Sequence, residues 1–228
     1  MRVGATPAHF SGFADRSAAG TQLAQALGSL KLAWPVVVLG LPRGGVPVAF
    51  EIARRLEAAL DVLIVRKIGM PGEREFAIGA IASGGIVVRD PSSLRFGPDA
   101  RAFGELVRIE QLELARREHL YRAGRPPLDL KGTTAILVDD GLATGSTMIA
   151  AIRAARQAGA AAVIAAAPVA SAAAAELVAS EADETAILAI PPSLRSVGEW
   201  YEDFTQTEDA EVRELLERSL NLPHRSPG

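Results

Sequence analysis

Apolar runs of strand length recur along the chain at residues 34–40 (WPVVVLG), 61–67 (DVLIVRK), 134–140 (TAILVDD), 161–168 (AAVIAAAP) and 184–190 (ETAILAI). They are continuous rather than alternating, the pattern of strands buried on both faces of a parallel sheet. Between them, residues 46–60 (VPVAFEIARRLEAAL) and 146–159 (STMIAAIRAARQAG) carry apolar positions at helical spacing, the second closed by Gly159. Strand and helix alternate, which predicts a doubly wound α/β fold with a mainly parallel sheet flanked by helices.

Two segments break the rhythm. Residues 68–90 (IGMPGEREFAIGAIASGGIVVRD) begin with a loop rich in glycine, proline and charge and continue as two short strands around SGG. This predicts a flap hairpin beside the sheet. Residues 98–124 set Phe103, Leu106, Ile109 and Leu120 among closely mixed Arg and Glu, as in a helix with a solvated face stapled by i,i+4 pairs.

At 228 residues the chain is expected to form one domain. A net charge of −3 offers no general attraction to nucleic acid or an anionic membrane, so neither partner is expected and anion binding must be local. The absence of cysteine removes disulfides, thiolate metal sites and cysteine nucleophiles. His9, His119 and His224 lie too far apart for ligand spacing. The opening residues lack the apolar core of a signal peptide, and the alanine-rich stretch near Pro168 and Glu176 reads as strand, turn and helix rather than a membrane span. A cytoplasmic protein is expected.

The candidate chemistry lies where strands run into helices. In ILVDDGLATGST, residues 136–147, a strand ends at Val138, Asp139 and Asp140 follow, and a glycine- and hydroxyl-rich turn opens a helix. Unpaired amides at such a helix start make a phosphate site, to which Thr144, Ser146 and Thr147 add hydroxyls. Gly145 lets the backbone approach the ligand. Two carboxylates beside an anion cradle would repel phosphate unless they faced sugar hydroxyls or magnesium, so the ligand implied carries both a phosphate and a diol. A second loop, Leu41, Pro42, Arg43, Gly44 and Gly45, repeats the plan, with Arg43 as a fork of donors for phosphate oxygens. A third strand end would add Arg66 and Lys67 to the same rim. Neither a Walker A loop nor a Gly-x-Gly-x-x-Gly fingerprint occurs.

VDDGLATGST resembles the ribose-phosphate signature of type I phosphoribosyltransferases, and LPRGGVPVA resembles their pyrophosphate loop. The similarity covers roughly residues 36–190, while residues 13–27 and 197–207 look like a bacterial subgroup of the family. The resemblance implies a magnesium-dependent transfer of ribose 5-phosphate from phosphoribosyl pyrophosphate to a nitrogenous acceptor. It implies that Asp139 and Asp140 hold the ribose hydroxyls, with magnesium binding by them left open. Ala143, Thr144, Gly145, Ser146 and Thr147 would take the 5′-phosphate, and Arg43, Gly44 and Gly45 the pyrophosphate. The flap at residues 68–76 would close over it, with Lys67 at its root. Ala143 stands where 6-oxopurine members carry an aspartate, as it does in adenine-type members, which turns expectation away from 6-oxopurines.

A hood built from residues 1–30 and 190–220 is expected to bind the acceptor, with Trp200 and Tyr201 as stacking platforms, Phe204 beside them, and Glu199, Glu202 or Asp203 reading an edge. Packing of these aromatics onto the sheet is the competing expectation. A homo-oligomer, a dimer, is expected. A non-catalytic regulator binding the same ligand is the alternative, although no nucleic-acid-binding segment is evident. A hydrolase has less support, since no Gly-x-Ser-x-Gly elbow occurs.

Overall fold

The computed structural model describes residues 2–3, 12–70, 73–89, 97–223 and 225. Its centre is a six-stranded sheet of β1 (Arg2–Val3), β2 (Val36–Gly40), β3 (Ala59–Val62), β7 (Thr134–Val138), β8 (Ala162–Val169) and β9 (Glu184–Ala189), in the order β1-β9-β8-β7-β2-β3. Every pairing in it is parallel. The continuous apolar runs have the cause expected of them. Val36, Val38, Ile136, Val138, Ile164 and Ala166 face one cluster, whereas Leu39, Ala135, Leu137, Val163, Ala165 and Ala167 face the other. Full burial of each larger aliphatic side chain contributes roughly 2 kcal/mol.

The first cluster is roofed by α1 (Arg16–Gly28) and α2 (Gly45–Leu56), with α3 (Ala100–Arg122) and α6 (Asp209–Ser219) at its margin. The second lies under α4 (Ser146–Gln157) and α5 (Ala172–Glu181). A separate antiparallel sheet, β4 (Val65–Met70), β5 (Glu73–Ala82) and β6 (Ile86–Arg89), packs against α3 and α4. Its β5–β6 turn runs through Ser83–Gly85, where the hairpin was expected.

Three expectations are corrected. The run at residues 61–67 is two strands in different sheets: the chain leaves the parallel sheet at Leu63, whose amide donates to the Gly40 carbonyl, and pairs at Ile64 with Ser83. Arg66 and Lys67 therefore stand in the flap sheet rather than at the end of a strand in the parallel sheet, and Arg66 is paired with Glu110 at 2.7 Å. The helix expected over 46–60 stops at Leu56, and Ala59 and Leu60 already belong to β3. The N-terminal segment, assigned whole to the hood, divides: it supplies β1 to the sheet edge and α1 to the helical layer, where Leu23, Ala24 and Leu27 are fully buried, while Phe13 and Ala19 pack with Tyr201, Trp200 and Phe204. Part of the expected flap, residues 71–72, lies outside the described residues.

The stop after α2 is made by Glu57 in a left-handed conformation, φ 57° and ψ 39°. That geometry costs a side chain about 1 kcal/mol relative to glycine. Glu57→Gly is expected to raise the melting temperature by about 3 °C. An unchanged or lower value in a thermal melt would contradict it.

Among the described residues no helix is long and apolar enough to cross a membrane.

Candidate active site

Strand order reverses between β2 and β7: β2 continues to β3 on one side, β7 to β8 and β9 on the other. Loops leaving such a pair diverge and open a crevice at the carboxyl ends of the strands. Gly40 is in register with Val138, and the Leu41 amide donates to the Val138 carbonyl at 2.8 Å, so the two candidate loops start side by side.

They then press together. A Cβ on Gly44 would lie 1.9 Å from Asp140 Oδ2, and one on Gly45 would lie 2.3 Å from the Val138 carbonyl oxygen. Only a residue without a side chain allows this approach. The Pro42–Arg43 peptide bond between the strand and these glycines is cis. The Gly45 amide is turned inward onto the Leu41 carbonyl at 3.1 Å, and that of Val46 onto Arg43. Close packing is therefore what the structure shows for Gly45, with its amide already engaged. The Arg43 guanidinium is about one-third exposed, with Asp209 and Glu208 at 3.7 and 3.9 Å. Contacts so long and so exposed contribute little, and Arg43 can turn toward an anion.

Helices α1, α3 and α5 are capped by the side chains of Asp15, Asp99 and Ser171. In contrast, α2 and α4 begin at Gly44 and Gly145, with no side-chain cap and no acidic residue in the first turn. At α4 this leaves a helix start open to an anion. Gly145 takes φ 74° there. Thr144 Oγ1 lies 3.1 Å from Ser146 Oγ, Ala143 and Thr144 are exposed, and Ser146 and Thr147 are partly exposed. The loop is tied from behind: Leu142 bridges Ala170, and the Ser171 hydroxyl donates to the Ala143 carbonyl at 2.8 Å.

Asp139 and Asp140 sit between the cradles. Burial, reinforced by the charge of Asp140, holds the Asp139 carboxyl well above the usual carboxylate range. Burial also raises Asp140, while the Arg16 guanidinium opposes that rise. Arg16 Nε and Nη2 both lie 2.8 Å from Asp140 Oδ2, and Nη1 donates to the Thr205 carbonyl at 2.8 Å. Nothing local hints at this partnership beyond an arginine at the start of a helix.

Tyr201, expected as a stacking platform, is buried with its ring 5.4 Å from Phe13 and 5.0 Å from Phe204, and its hydroxyl donates to the Asp140 carbonyl at 2.6 Å. Burial, then the Asp140 charge, raises its phenol far above the usual range. Its ring is used in packing and its hydroxyl in holding the loop after β7. Trp200 is half-buried beside it, its backbone carbonyl accepting from Phe13. Lys67 is exposed on β4.

A doubly wound parallel sheet carrying these two loops at its switch point is the architecture of the type I phosphoribosyltransferases that the sequence resembles. The family described as "Phosphoribosyl transferase domain" matches residues 18–194, and the chain belongs to it. Two proteins from strains of Mycobacterium tuberculosis, named provisionally as phosphoribosyl transferases, are each 47% identical over 208 residues, covering 91% of this chain and 47% of theirs. The chain thus spans about half the length of the curated relatives it matches. The crystal structure of TT1426 from Thermus thermophilus is similar with a TM-score of 0.84 and 44% identity, over 90% of this chain and 98% of that one.

Proposed function

We propose that the chain transfers ribose 5-phosphate from phosphoribosyl pyrophosphate to a nitrogenous acceptor and releases pyrophosphate. The observation that supports this most is the junction at the switch point: an uncapped helix start, a carboxylate pair and an arginine loop, packed together through glycines at the carboxyl ends of β2 and β7. In this reading Asp139 and Asp140 accept hydrogen bonds from the ribose 2′- and 3′-hydroxyls. The loop of Ala143, Thr144, Gly145, Ser146 and Thr147 holds the 5′-phosphate. Arg43, with the backbone at Gly44, meets the pyrophosphate, Gly45 serves the loop by close packing because its own amide is bonded to Leu41, and Lys67 adds charge at the flap's root.

The C1′–O bond to pyrophosphate breaks with its electron pair leaving on the pyrophosphate, and the acceptor nitrogen bonds to C1′. Cations at the leaving group and exclusion of water from an oxocarbenium-like centre do most of the work.

Among the described residues no group of three or more His, Cys, Asp or Glu is placed to hold a metal. The chain offers magnesium the Asp139 and Asp140 carboxylates, which fits an ion brought by the substrate, since magnesium keeps several waters and is commonly held by one or two carboxylates with substrate phosphates. When bound, the ion supplies neutralisation of pyrophosphate charge. Tyr201 supports Asp140 and Phe204 backs Arg16, so in this reading the acceptor contact expected of the hood falls to Trp200, itself packed in the same cluster.

The test incubates the protein with phosphoribosyl pyrophosphate, magnesium and a panel of nucleobases and small amines, following pyrophosphate release. Release that depends on one acceptor is the expected result. Binding of phosphoribosyl pyrophosphate without release under any acceptor would favour a ligand-binding regulator, and no binding at all would sink both readings.

A further inference from the structure

Arg16 stands at the start of α1, yet it reaches the ribose loop 124 residues away. Two of its nitrogens converge on one oxygen of Asp140, the third donates to the Thr205 carbonyl, and the guanidinium carbon lies 4.0 Å from the centroid of the Phe204 ring. Its side chain is 11% exposed. Such a planar fork, fixed at its edge and on its face, holds one orientation, which a flexible ammonium cannot reproduce.

The geometry constrains Asp140 in turn. Oδ2 is walled by Arg16 on one side and by Gly44 on the other, where even a Cβ would have no room. The backbone carbonyl of Asp140 is held by the Tyr201 hydroxyl, and its amide by Asp139 Oδ1 at 3.0 Å. The residue is thereby pinned at three points, with Oδ1 left outside the guanidinium fork. Thr205, Phe204 and Tyr201 all belong to the segment between β9 and α6, so the same contacts bind that segment to the ribose loop.

We propose that Arg16 is a positioning residue of the ribose site: it fixes the Asp140 carboxylate with Oδ1 presented to the sugar diol and couples that orientation to the hood segment. The role rests on the ribose reading given above. Arg16 acts through Asp140, so its loss is felt by ligands with a diol and not by the phosphate cradle.

Calorimetric titration with ribose 5-phosphate and, separately, inorganic phosphate separates the two ends of the site. Arg16→Gln is expected to weaken ribose 5-phosphate about tenfold and inorganic phosphate less than about twofold, as loss of a charged hydrogen-bond network at one end predicts. Phe204→Leu, which leaves the charge and removes the ring under it, is expected to weaken ribose 5-phosphate about threefold. Arg16→Lys is expected to fall between wild type and Arg16→Gln, with a point charge replacing the fork. In an Asp140→Asn background, Arg16→Gln should add no further loss, since the group it positions is no longer an anion.

Equal weakening of both ligands, or an undiminished loss in the Asp140→Asn background, overturns the positioning role alone. A wild-type protein that binds ribose 5-phosphate no more tightly than phosphate overturns the ribose reading, and the role of Arg16 with it.

Discussion

Asp139→Asn is expected to raise the melting temperature at neutral pH by about 3 °C, what roughly 1 kcal/mol yields in a chain of this size, while weakening phosphoribosyl pyrophosphate about a hundredfold. The two effects have one cause. Burial and the neighbouring Asp140 charge hold the Asp139 carboxyl above its ordinary range, and Arg16 opposes this only as a lesser influence. An acid whose folded pKa is raised contributes stability below its unfolded pKa and loses that contribution as pH rises through the folded one. At neutral pH the raised pKa is a cost to the folded state that asparagine removes. Melting curves of wild type and variant should therefore converge below about pH 4 and separate as pH rises. A variant no more stable than wild type at pH 8, or one that still binds ligand normally, would show that Asp139 is an ordinary turn residue.

Gly45→Ala is expected to cost about 3 kcal/mol, lowering the melting temperature by roughly 10 °C. The added methyl meets backbone, at 2.3 Å from the Val138 carbonyl oxygen and 3.0 Å from the Asp139 Cα, and these atoms belong to the sheet and its end and cannot yield. Gly44→Ala makes the instructive comparison. Its methyl would strike the Asp140 side chain, which can yield only by leaving the Arg16 fork, and would stand 3.2 Å from Arg16 Nε. It should spare stability relative to Gly45→Ala and instead displace the carboxylate, weakening ribose 5-phosphate. If Gly44→Ala proves the more destabilising of the two, the glycines are not dividing structural and ligand-facing contact in this way.

Much of this molecule is written locally. The parallel strands are legible because burial on both faces leaves no room for a polar alternation, and both loops are legible because glycine, hydroxyl and carboxylate must sit within a few residues of a helix start. Other features depend on partners remote in sequence. Val62, Leu63 and Ile64 are all buried, so the apolar run continues straight through the place where the chain changes sheets. Ala19, Leu23, Ala24 and Leu27 are all buried on α1, and only the tertiary fold divides them, the last three packing into the core and Ala19 onto Phe13 and Tyr201. Tyr201 carries a ring and a hydroxyl, and nothing in its neighbours along the chain distinguishes a platform for a ligand from a brace for Asp140. The bond between Arg16 and Asp140 leaves no local trace at all.

The loop after β7 has its order installed during folding. Leu142 is held through Val169 and Ser171, Ala143 through the Ser171 hydroxyl, and the chain then enters α4 directly. In the proposed reading a phosphate arriving there meets a backbone whose conformational entropy was lost when the domain folded, so little of its binding free energy is spent on ordering the loop. Affinity at that end should consequently be governed by contact and charge, with a small entropic penalty.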